Sequence, residues 1–100
     1  MGLAASQARE LLLFAWKSDL EYSAQRITQR RIMLLDQLSA ISPQQAALDE
    51  TISSQLNYED RRLELELKQL ETKHKAVETE IESVKKVIDK NIEMSFKVFG

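Results

Sequence analysis

From Ala4 to Ile41, apolar residues return every third or fourth position, at Leu13, Trp16, Leu20, Ala24, Ile27, Leu34, Leu38 and Ile41. That is the spacing of one face of an α-helix. The step between Ile27 and Leu34 lands on Arg31, a basic interruption that must reach solvent or a carboxylate. A second stripe begins at Leu48, Ile52 and Leu56, then alternates four and three through Leu63, Leu67, Leu70, His74, Val77, Ile81, Val84 and Ile88. This later stretch is a heptad seam. Past Ile88 the spacing steps to Ile92, Phe96 and Phe99, which reads as a stutter that turns the helix end onto a rotated face.

Between the stripes, Ser42-Pro43-Gln44-Gln45 reads as a helix start, with Ser42 as N-cap, Pro43 at the first helical position and Gln45 closing a capping box. No glycine lies between Gly2 and Gly100, and Pro43 is the sole proline. Nothing supplies the regular turns of a β or α/β domain. The expected fold is therefore all-α: an antiparallel helical hairpin or coiled coil, assembled into a larger helical oligomer. It forms one domain over 1–100, with a helix at 4–41, a turn at 42–43 and a helix at 44–98. Thr51, Ser53, Ser54 and Asn57 compete for the backbone and bring a break at 53–57 into question. At ~1.5 Å per residue the two arms would measure roughly 55 and 80 Å. Either that break shortens the second arm, or its C-terminal third overhangs and needs a neighbour to cover it.

Composition narrows the function classes. The 100 residues are 43% hydrophobic and 30% charged and include no cysteine, which removes a disulfide framework and any thiolate metal or redox site. No apolar run approaches the ~18 residues of a transmembrane segment, and Met1–Lys17 lacks the basic start and small-residue exit of a cleaved signal. Residues 1–42 carry five basic against four acidic side chains and residues 43–100 nine against twelve, together the net −2. Lys17, Arg26, Arg30 and Arg31 are thus placed to face Glu59, Asp60, Glu64, Glu66 and Glu71 across an antiparallel pair. Glu64–Lys68, Glu71–Lys75, Glu82–Lys86 and Glu93–Lys97 add acidic-then-basic pairs four residues apart, the favourable orientation on a solvated helix.

Two stretches of the first helix, Leu11–Trp16 and Ile32–Leu35, are apolar all round, whereas a solvated two-helix arm has one wet face. A broad core against a kinked second helix is the plain explanation. A second interface is the favoured one, because a patch of this size is a liability on a free monomer. Its expected residues are Leu11, Leu12, Phe14, Trp16, Ile32 and Leu35, joined at the chain end by Phe96 and Phe99.

Candidate chemistry is sparse. Glu71-Thr72-Lys73-His74 is a Glu-x-x-His on a helix, the skeleton of a carboxylate di-iron site if a dimer supplies two copies, with Glu10 or Glu21 at plausible height on the first helix. A seam histidine more often fixes register, so no metal and no cofactor is expected. Arg26, Arg30 and Arg31 lack interleaved aromatics, which argues against a nucleic-acid partner. Met1-Gly2-Leu3-Ala4-Ala5-Ser6 formally fits the N-myristoylation pattern. One histidine with no acid–nucleophile constellation gives no enzyme.

The opening Met1-Gly2-Leu3-Ala4-Ala5-Ser6-Gln7-Ala8-Arg9, followed by Lys17-Ser18-Asp19-Leu20-Glu21-Tyr22, resembles a recurrent N-terminus of small bacterial helical proteins, a resemblance that implies no activity. The outline is also similar to needle subunits of type III secretion systems, carried by the proline-containing turn and by Val84-Lys85-Lys86-Val87-Ile88-Asp89-Lys90-Asn91-Ile92 with Phe96 and Phe99. One proline stands where that family's turn has Pro-x-x-Pro. The resemblance implies export without a signal peptide, a secreted or cell-surface location and helical polymerisation; without it the expected location is cytoplasmic. The expected function is a structural, self-assembling homo-oligomeric subunit of a bacterial secreted or surface assembly, filament or needle-like. The alternative is a small dimeric adaptor or export chaperone that binds a helical protein partner.

Overall fold

The computed structural model describes residues 2–41 and 50–99, with the side chains of all of these except Phe99. The turn at Ser42–Pro43, its capping box and Leu48 lie outside the described residues. Two helices account for the rest: α1, Leu3–Ala40, and α2, Glu50–Phe99. The fold is all-α, an antiparallel helical hairpin without strands among the described residues. Residues that weaken helices elsewhere are accommodated by bonding back one turn. The hydroxyls of Thr28, Ser39, Thr79 and Ser95 donate to the carbonyls of Ala24, Leu35, Lys75 and Asn91 at 2.9–3.0 Å. α2 runs unbroken through 53–57, with Ser53 and Leu56 half-buried; inward packing there outweighs the local competition for the backbone.

The chain divides into two compact units, one pairing Met1–Glu21 with Thr72–Gly100, the other comprising Tyr22–Glu71. In the first, Ser6, Leu13, Ile81 and Ile88 are buried. Leu3, Glu10, Lys17 and Leu20 flank them half-buried on α1, as do His74, Val77, Val84 and Asn91 on α2. Arg9 meets Glu80, Lys17 meets Glu78 and Glu21 meets His74, so numbers fall along α2 as they rise along α1, the antiparallel order.

This packing corrects the expected seam at two places. Trp16 is 42% exposed, and the inward slot between Leu13 and Leu20 belongs to Lys17. The lysine stem covers apolar surface while its ammonium reaches out to Glu78 at 3.6 Å. The stutter past Ile88 is also absent. The three–four alternation continues to half-buried Asn91, while Ile92 and Phe96 are exposed.

In the second unit Leu34 and Leu63 are buried, with Ala24, Ile27, Arg31, Leu38 and Ile41 half-buried on α1 and Ser53, Leu56, Asp60, Leu67 and Leu70 half-buried on α2. Ile52, expected on the seam, is exposed, and Ser53 takes its slot.

Candidate interaction surface

In the first unit, every charged residue between Leu3 and Ser18, namely Arg9, Glu10 and Lys17, is half-buried, and Arg9 and Lys17 pair with Glu80 and Glu78 on α2. The residues of α1 that face away are therefore Ala4, Ala5, Gln7, Ala8, Leu11, Leu12, Phe14, Ala15, Trp16 and Ser18, all exposed and none of them charged. Leu11 is 70% exposed. Phe14 and Trp16 carry cations on their rings, Lys85 Nζ at 5.5 Å and the Arg9 guanidinium at 5.1 Å, and remain 38% and 42% exposed. In the second unit Ile32, Met33 and Leu35 are each more than half exposed. Met33 was absent from the expected interface, although it lies within the same apolar run.

The end of α2 adds a smaller apolar area. Leu3, Ile92, Ser95 and Phe96 line a shallow cleft in the first unit, and Phe96 is 74% exposed. Seven of the eight expected interface residues are thus exposed. The eighth, Phe99, has its side chain outside the described residues.

Each unit also holds a polar cluster on its seam. In the first, His74 Nε2 lies 2.9 Å from Glu21 and His74 Nδ1 3.5 Å from Glu78, which also takes Lys17. In the second, Arg30 donates from Nε and Nη2 to Glu59 at 3.1 and 2.9 Å, while Arg31 donates to both Asp60 oxygens at 2.9 and 3.4 Å and sits 3.9 Å from Glu64. The Arg31 hydrogen bond holds the Asp60 carboxyl below the usual carboxylate range, and the same bond raises Arg31. Arg30 and Arg31 meet the acidic partners expected of them. Arg26 shares a shallow cleft with Glu66 and lies 6.0 Å over the Tyr22 ring, and Lys17 turns to Glu78 instead.

The di-iron arrangement is not assembled. Glu71 is exposed, and no group of three or more metal-ligating side chains among the described residues is disposed to hold an ion. Both ring nitrogens of His74 face carboxylates, Glu21 across the helix pair and Glu78 one turn along α2, so the ring is a polar link between the helices. Among the described residues, no helix is long and apolar enough to cross a membrane. No family model matches the chain, and neither a curated protein nor a solved structure matches it.

Proposed function

We propose that this chain is a structural subunit that self-associates through the outward side of α1 and the end of α2, with no catalytic role. The observation that carries this reading is the run of exposed, uncharged residues on α1 from Ala4 to Ser18. The run itself carries no charge, and of the charges beside it Arg9 and Lys17 are paired with Glu80 and Glu78 of α2, so a cover centred on Leu11 desolvates mainly apolar groups. Phe14 and Trp16 supply aromatic side chains of the kind that dominate interface energetics, and Leu11 and Leu12 add apolar area beside them. Placement in a bacterial secreted or surface assembly, filament or needle-like, rests on the resemblance of 84–92 to needle subunits.

Sedimentation across a concentration series tests the proposal. Growth beyond one 11.5 kDa chain is expected, with Leu11→Ser/Phe14→Ser losing at least about tenfold in association, the equivalent of ~1.4 kcal/mol. Helix content by circular dichroism should be unchanged, since neither residue lies on the intrachain seam. A wild-type mass of one chain at every concentration would overturn the reading. Growth that stops at two copies favours the adaptor, whose partner helix would use the same outward side of α1.

A further inference from the structure

At about 100° per residue, the line along α1 opposite buried Leu13 runs through Ala4, Ala8, Leu11, Ala15 and Ser18, all of them exposed. The steps are four, three, four and three, so α1 carries a second heptad line on the side away from α2. Leu12, with Trp16 beyond it, lies on one flank of this line and Phe14 on the other. Leu11 is the one large side chain on the line itself, 70% exposed, with small residues one turn away in both directions. Neither the line nor the flanking Ala5, Gln7, Leu12 and Phe14 hold a charge.

We infer that a second copy of this chain covers this line, the two α1 helices packing antiparallel about a twofold axis level with Leu13, so that Leu11 of each copy faces Ala15 of the other and Ala8 faces Ser18. This deepens the self-association reading and rests on it. Charge selects the occupant. A charged helix laid on the line would lose water without meeting a counter-ion, which sets aside the outward side of α2, where Lys75, Glu82, Lys86, Lys90 and Glu93 are exposed. Ile32, Met33 and Leu35 offer about one turn of α1, with exposed Arg30 and Asp36 at its ends. The same line in a second copy strands no ion. Shape selects the direction. A parallel pair in register sets Leu11 on Leu11 and holds the alanines around it apart, leaving gaps where close packing is favoured. The antiparallel pair seats each Leu11 over an alanine. Leu12 then meets Leu12 on one flank and Phe14 meets Phe14 on the other, so the large side chains gather at the axis. Asp19, the first charge past Ser18, comes beside Ala5 in the first turn of α1 in the other copy. That turn has no acidic residue, and its free amide groups favour a carboxylate.

The chain has no cysteine, so introduced thiols report the register. Full-length chains carrying Ala4→Cys, Ala8→Cys, Ala15→Cys or Ser18→Cys are oxidised singly and in pairwise mixtures at a concentration where wild type is associated by sedimentation, with circular dichroism as the check on helix content. A disulfide needs α-carbons within about 7 Å. In the proposed register residue 8 of one copy faces residue 18 of the other and lies about 15 Å along the axis from residue 8. The mixture of Ala8→Cys and Ser18→Cys is therefore expected to link at least about fivefold more than either variant alone. Strong linking of each variant with itself would show a parallel pair, and preferential linking of Ala4→Cys with Ala15→Cys would show an antiparallel pair slid by one heptad. Either result, or no link at all in a chain that assembles, overturns the register while self-association stands. If wild type stays a single chain throughout, both fail together.

Discussion

Ser6 is nearly as inaccessible as the core leucines, 1% exposed, yet its hydroxyl has no hydrogen-bond partner among the described residues. A buried hydroxyl without a partner forfeits its hydration, and serine is also a poorer helix former than alanine. Ser6→Ala should therefore stabilise the first unit by about 1 kcal/mol, visible as a rise in melting temperature of about 4–8 °C for a chain of this size. An unchanged or lower melting temperature would mean that the hydroxyl is satisfied. Lys17 offers the opposite lesson. It is charged and half-buried, but its ammonium reaches Glu78, so its stem fills the slot and its charge remains served. Position alone does not decide whether a polar seam residue costs stability; the reach of its polar atom does.

Along each helix, the part of the seam legible in the sequence is the part whose inward residues are apolar. The run from Leu63 to Ile88 is read correctly, including His74, because its neighbours fix the phase on both sides. The phase is misread where a polar inward residue adjoins an apolar outward one: Lys17 beside Trp16, Ser53 beside Ile52, Asn91 beside Ile92. Hydrophobicity picks the neighbour in all three, whereas the heptad count picks the residue the structure buries. Steps of seven from Arg31 reach Ala24, Lys17 and Glu10, a signal sufficient to place Lys17 and the cluster it joins. The exposure of the residues proposed for the interface was legible for a related reason, since an all-round apolar stretch cannot turn wholly inward. His74→Leu would extend the apolar seam of α2. Glu21 and Glu78 keep about half their side-chain exposure, so removing the ring strands no buried charge. A higher melting temperature is expected, by a few degrees for roughly 1 kcal/mol of added burial. A fall would show that the polar link contributes more than a leucine can.

Across the whole molecule, both units join their helices through carboxylate ion pairs, and in the second one such carboxyl is held low. Asp60 in the second unit has its carboxyl lowered by the hydrogen bond from Arg31. A lowered folded-state value gives stability that is present above the ordinary carboxylate range, about pH 4, and lost as pH falls through the lowered value. Between neutral pH and about pH 2, amide protection at 24–40 and 50–70 should weaken, and Asp60→Asn should lower that protection at neutral pH. The variant and wild type should converge at the acid end. A constant gap between them across the titration would remove the Arg31–Asp60 pair as the cause.

Trp16, displaced from the seam by its neighbour, is the sole tryptophan in the chain, and it stands among the residues proposed to meet another molecule. Its indole is partly open to water and stacked near the Arg9 guanidinium, so its fluorescence carries information from that surface alone. Contact with a neighbour would exclude water from the ring and move emission to shorter wavelength, whereas a change confined to the second unit would leave the spectrum still. The fold thereby contains its own optical reporter, one that follows association by dilution without a label and separates docking from unfolding by the direction in which the colour moves.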